Sequence, residues 1–119
     1  MKKIFHLLVM SLCLSFSTLT TLSIHASERA EIGWQKIEQG AMIVDVRTPQ
    51  EFISGHLKNA VNFPLSELDR HFLKVDKSQP IVVYCRSGNR SGIAYDYLVE
   101  QGFTQVHNGG GIEEMKAAK

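Results

Sequence analysis

Pro80-Ile81-Val82-Val83-Tyr84-Cys85-Arg86-Ser87-Gly88-Asn89-Arg90-Ser91 is the stretch that decides the fold. Ile81 to Tyr84 is a short run of apolar β-formers and reads as a buried strand. It delivers Cys85 into a tight loop, and Ser91 opens a helical stretch that Gly102 ends. Consecutive residues turning tightly before a helix aim several backbone N–H groups at one point, where the helix N-terminus adds partial positive charge. Cys85 sits at that point with Arg86 and Arg90 beside it. Each of these features favours a charged sulfur over a neutral thiol, so Cys85 reads as a nucleophile.

Outward from the loop, short apolar runs alternate with amphipathic stretches. Ala30 to Gln39 reads as a helix with Ile32 and Ile37 inward and Gly40 as its stop, and Met42 to Val46 as a buried strand. Thr48-Pro49-Gln50-Glu51-Phe52 opens a short helix: Thr48 caps it, Pro49 suits the first helical position and Glu51 completes a capping box. Ala60 to Phe63 reads as a strand, Leu65 to Leu73 as a helix, and Thr104 to Val106 as a last strand, with Gly109-Gly110-Gly111 as a turn before a short C-terminal helix. In the helix after the loop, Ile93, Ala94, Tyr97 and Leu98 recur at helical spacing and are expected to pack on the sheet. Strands separated by helices imply an α/β domain with a central parallel sheet and helices on both faces. Ligands of such sheets bind outside the carboxyl ends of the strands, where Cys85 lies.

The other end of the chain concerns location. Met1-Lys2-Lys3 precedes an apolar, hydroxyl-rich stretch from Ile4 to Ile24 and a small-residue junction at Ala26-Ser27. Residues 1–26 therefore read as a secretory signal peptide, with export to the periplasm expected. Serines and threonines at positions 11, 15, 17, 18, 20, 21 and 23 interrupt the run and argue against a retained spanning helix. Leu12 before Cys13 argues against a lipidated cysteine.

Residues 27–119 make one small domain with 11 Lys and Arg against 12 Asp and Glu once Lys2 and Lys3 are gone. No basic stripe or aromatic platform recommends nucleic acid, and no remaining segment is apolar enough to span a bilayer. The remaining cysteine, Cys85, has no partner for an internal disulfide. Its neighbours Arg, Ser, Gly, Asn and Arg are not those of a packing cysteine. His56, His71 and His107 are too scattered for a metal-ligand spacing, so neither metal nor other cofactor is expected.

Asp45-Val46-Arg47 after a strand, Glu51-Phe52, Gly55-His56-Leu57-Lys58-Asn59-Ala60, Asn62-x-Pro64 and the loop from Cys85 to Ser91 together resemble a rhodanese domain across the whole of residues 27–119. The chain is most similar to the small periplasmic thiosulfate sulfurtransferases of the phage-shock type. The resemblance implies a ping-pong reaction in which Cys85 takes the outer sulfur of thiosulfate and releases sulfite. The sulfur then passes from a persulfide, in an exposed pocket, to cyanide, a small thiol or a protein thiol. Amide donors from Arg86, Ser87, Gly88, Asn89, Arg90 and Ser91 would stabilise the terminal sulfur as an oxyanion hole stabilises oxygen. Arg90 is expected to hold the loop and the leaving sulfite, and Arg86 to meet the incoming dianion. A basic residue directly after the cysteine matches the thiosulfate-using pattern. Asp45 and Arg47 are expected to form a structural ion pair, and His56 to brace a turn. Met115 stands where many members have tryptophan, which leaves the C-terminal packing to be determined.

Two other functions compete. Cysteine phosphatases and arsenate reductases related to this fold place an arginine six positions after the cysteine; position 91 here is serine and Arg90 lies five after Cys85. Non-catalytic binding modules of the fold generally lack the cysteine that this chain has.

Overall fold

The computed structural model describes residues 27–119; the expected signal sequence, residues 1–26, lies outside the described residues. Four strands form one parallel sheet: β1 (Met42–Asp45), β2 (Val61–Asn62), β3 (Ile81–Cys85) and β4 (Val106–Gly111), in the order β2-β1-β3-β4. The helices are α1 (Glu28–Glu38), α2 (Pro49–Ser54), α3 (Leu68–Phe72, preceded by a 3-10 turn at Leu65–Glu67), α4 (Asn89–Glu100) and α5 (Ile112–Ala117). None of these helices is long and apolar enough to cross a membrane.

The period-2 alternation of β3 builds the two halves of the core. Ile81, Val83 and Cys85 point to one face, where Leu68 and Phe72 of α3, Ala94 and Leu98 of α4, and Phe103 cover them. Val82 and Tyr84 point to the other, under Ala30 of α1 and Ile112 and Met115 of α5. All five β3 residues are buried, as a central parallel strand requires. The expected layers are therefore present, with helices on both faces.

The helix signals behave locally as written. Ser27 caps α1 by accepting from the Ala30 amide, with Glu28 and Glu31 in the first turn and Lys36 in the last. Thr48 caps α2 in a capping box with Glu51, and Pro49 is the first helical residue.

Three expectations are corrected. The last strand is Val106–Gly111 rather than Thr104 to Val106, and it runs through the glycines read as a turn. A register irregularity after Val83 absorbs the extra residue, so Val83 pairs with Asn108 and Tyr84 with Gly110. Glycine is needed here for close approach: a Cβ on Gly109 would lie 2.8 Å from Met115 Sδ, and one on Gly111 would strike the Arg86 carbonyl. Second, Ile93 does not pack on the sheet. It is 52% exposed, while Ala94 and Leu98 do the packing. Third, α1 turns Ala30 and Gly33 inward rather than Ile32, because the Met115 side chain occupies the space against Gly33. Met115 itself is fully buried and fills the C-terminal packing.

Candidate active site

Strand β3 ends at Cys85, and α4 begins four residues later at Asn89. The turn between them is possible because Gly88, the N-cap of α4, adopts φ 102°, a left-handed conformation that disfavours a side chain. A Cβ at Gly88 would also strike the guanidinium of Arg29, which packs against the outside of the loop.

The loop closes around the sulfur. The Gly88 amide donates to Cys85 Sγ at 3.0 Å, the Ser91 amide at 3.3 Å, and the Ser91 hydroxyl lies 3.4 Å away. Burial opposes charge on this sulfur. It is outweighed by hydrogen bonds from the Ser91 hydroxyl and the amides of Ser91, Gly88 and Ser87, which hold the Cys85 thiol below the ordinary cysteine value. Of the amides expected to face the sulfur, those of Gly88 and Ser91 do so, with a smaller contribution from Ser87; those of Arg86, Asn89 and Arg90 make no bond to it, and Asn89 is exposed at the start of α4. Cys85 has no accessible surface, which corrects the expectation of an exposed pocket. The sulfur lies beneath the loop, at the carboxyl end of β3.

The arginines differ. Arg90 donates from Nη1 and Nη2 to the two carboxylate oxygens of Glu51, at 2.7 and 3.0 Å. This pair ties the start of α4 to the start of α2. Arg90 and the Thr48 cap together hold the Glu51 carboxyl down at about 2. Arg86 is exposed and has no carboxylate partner among the described residues. It lines a surface cleft of about 450 Å³ with Arg47, Glu51, Ser54, Ile112 and Glu113. Of the two loop arginines it is therefore the one that no carboxylate engages among the described residues.

Asp45 and Arg47 form a buried, bidentate pair. Arg47 Nη2 lies 2.7 Å from Asp45 Oδ2, and Arg47 Nε 3.0 Å from Asp45 Oδ1. Arg47 Nη2 also donates to the Gly55 carbonyl at 2.6 Å, which fixes the end of α2. Asn62 donates to the carbonyls of Asp45 and Arg47, so β2 joins the same brace. His56 Nδ1 bonds the Phe52 carbonyl at 2.9 Å and its ring stacks on Phe52, bracing the turn after α2.

Several site residues escape sequence reasoning. Asn108 on β4 accepts from the Ser91 hydroxyl at 2.7 Å and donates to the Gly88 carbonyl at 3.3 Å. Arg29 donates to the Ser87 carbonyl at 3.2 Å and is held by Glu114 through bonds of 2.7 and 2.8 Å. Glu114 also accepts from Ser27 and the Gly111 amide, and the Arg29 guanidinium beside it holds its carboxyl at about 2. Glu51 reads from sequence as a cap alone. The side-chain partners here lie 17 to 87 residues apart, and no spacing rule joins them. An amide directly before three glycines is the one usable signal for Asn108. Among the described residues no cluster of His, Cys, Asp and Glu is arranged to hold a metal ion.

Comparison with known proteins agrees with this geometry. The rhodanese-like domain matches residues 30–118. The thiosulfate sulfurtransferase PspE of Escherichia coli K12 is 36% identical over 78 residues, covering 64% of this chain and 75% of that protein. The thiosulfate sulfurtransferase GlpE of Pseudomonas savastanoi is 42% identical over 81 residues, covering 67% and 76%. Among solved structures, a rhodanese with anions from E. coli superposes with a TM-score of 0.59 at 38% identity, over 63% of this chain and 91% of that one. A parallel sheet that ends in a thiol beneath a ring of amides defines the class, and the chain belongs to the rhodanese-like domain family. Within that family it is a single-domain sulfurtransferase.

Proposed function

We propose that this protein is a thiosulfate sulfurtransferase that works through a persulfide on Cys85. The observation that carries the reading is the convergence of the Gly88 and Ser91 amides and the Ser91 hydroxyl on one buried sulfur. The Cys85 thiolate attacks the outer sulfur of thiosulfate. The S–S bond of the donor breaks, sulfite leaves with the electron pair, and Cys85 carries a persulfide whose terminal sulfur is negative. The Gly88 and Ser91 amides, already aimed at the pocket, meet that charge without moving, and the Ser91 hydroxyl needs only to turn its proton. In the second half-reaction cyanide or a thiolate attacks the terminal sulfur, leaves as thiocyanate or a persulfide, and returns the Cys85 thiolate. Arg86, in the outer cleft, attracts the dianion; Arg90, fixed by Glu51, holds the loop and faces the departing sulfite. The reading of residues 1–26 as a cleavable signal supports a periplasmic site of action.

The test is direct. Brief incubation with thiosulfate adds one sulfur atom to Cys85 by intact-mass spectrometry, and cyanide removes it. A Cys85→Ser variant that still turned over thiosulfate and cyanide at the normal rate would overturn the reading.

A further inference from the structure

Asn108 has a role beyond holding the loop. Its Oδ1 accepts from the Gly110 amide at 3.0 Å as well as from the Ser91 hydroxyl at 2.7 Å. A backbone N–H can only donate, so the Gly110 bond fixes which end of the amide faces Ser91. Ser91, fully buried, has one hydroxyl proton and two acceptors in reach: Asn108 Oδ1 at 2.7 Å and Cys85 Sγ at 3.4 Å. With the proton on Asn108, the Ser91 oxygen can only accept from sulfur, and that arrangement suits the S–H form of Cys85. Once sulfur carries charge, the hydroxyl turns to it. Asn108 Oδ1 then keeps the Gly110 bond, so the turn leaves no buried acceptor without a partner.

From this geometry we propose that Asn108 is a positioning residue that competes with the Cys85 sulfur for the proton of Ser91, making that hydroxyl a two-position switch set by the charge on sulfur. The proposal rests on Cys85 as the reacting sulfur. In the free enzyme Asn108 favours the neutral thiol; when the thiolate forms, Ser91 is already in place to donate. The bond from Asn108 Nδ2 to Gly88 is the longer and weaker part of the contact, and the Gly88 carbonyl has a second donor in the Gly92 amide at 3.0 Å. Charged groups face this sulfur from other elements: Arg29 of α1, neutralised by Glu114 of α5, and Arg90 of α4, neutralised by Glu51 of α2, with Arg86 exposed on the loop. None of them changes in the variants below.

The experiment is a pH titration of Cys85 alkylation by iodoacetamide, after reduction, in the full chain. Asn108→Leu keeps the branched shape, in a bulkier side chain, and removes the acceptor. The switch predicts a lower titration midpoint, with the thiolate fraction on the acid side raised about fivefold, the value of one ordinary hydrogen bond. Asn108→Asp keeps both accepted bonds but holds the Ser91 proton more tightly, and so raises the midpoint. In a Ser91→Ala background the Asn108→Leu shift vanishes and the Asn108→Asp shift shrinks to its through-space part. Shifts of the same sign in both Asn108 variants would mark simple loosening of the loop and overturn the proposal, as would a Leu shift undiminished without Ser91. If Asn108→Leu does not fold, the Asp variant decides alone, since equal shifts with and without Ser91 refute the switch. Alkylation needs no sulfur donor, so a failure of thiosulfate turnover would count against the proposed function and leave this test standing.

Discussion

Replacing Glu51 with glutamine separates the two functions that this carboxylate combines. The glutamine side chain would still offer an oxygen to the Thr48 amide at the start of α2, but it cannot accept from both nitrogens of Arg90 as the carboxylate does. The folded-state pKa of about 2, against an ordinary value of 4.5, sets an upper limit of about 3 kcal/mol for the charge on Glu51. The two side chains are 29% and 32% exposed, and solvent screening brings the expected loss in Glu51→Gln to about 1 kcal/mol at neutral pH. The sign follows from a depressed carboxyl pKa. The contribution is fully present above the unfolded value of 4.5 and is lost as pH falls through about 2. Urea unfolding of both proteins at pH 7 and again near pH 2.5 should show a difference that shrinks with acid. Released from Glu51, Arg90 no longer ties the loop to α2, so kcat for sulfur transfer should fall by about tenfold, as expected for a lost orienting contact worth about 1.4 kcal/mol in the transition state. A stability difference of the same size at both pH values, together with unchanged kcat, would refute the view that this ion pair holds the site.

Further outcomes are expected. Arg86→Ala should mainly raise the KM for thiosulfate and Arg90→Ala should depress kcat as well; equal, trivial effects in both would return the arginines to solvated surface charges. Cys85 should alkylate with a midpoint below the free-thiol value of about 8.5, and its contribution to stability, read against Cys85→Ser, should grow as pH rises from the folded-state pKa to the unfolded value. Gly111→Ala drives a methyl into the Arg86 carbonyl, so a loss of about 2 kcal/mol or more is expected in thermal unfolding, with slower alkylation of Cys85 as the loop is displaced.

Local features of the chain were sufficient for most of the architecture. The Thr48-Pro49-x-Glu51 start of α2, the apolar run of β3 and the Cys85 to Ser91 loop each act through neighbours within a few residues, where spacing dictates which backbone groups meet. The sequence alone therefore determined an α/β domain with a thiol at a strand end under convergent amides. It misjudged β4 because glycine reads as a turn unless the facing atoms are known, and Met115 and the Arg86 carbonyl come from other parts of the chain. It misjudged Ile93 because helical spacing marks an apolar stripe without saying how wide a stripe the sheet covers. Folding alone decided the supports of the site: Glu51 on Arg90, Glu114 on Arg29, and Asn108 on Ser91. These contacts join residues brought together only when the strands order as β2-β1-β3-β4, and hydrogen bonding at about 3 Å depends on that three-dimensional placement, which no local pattern in the chain encodes.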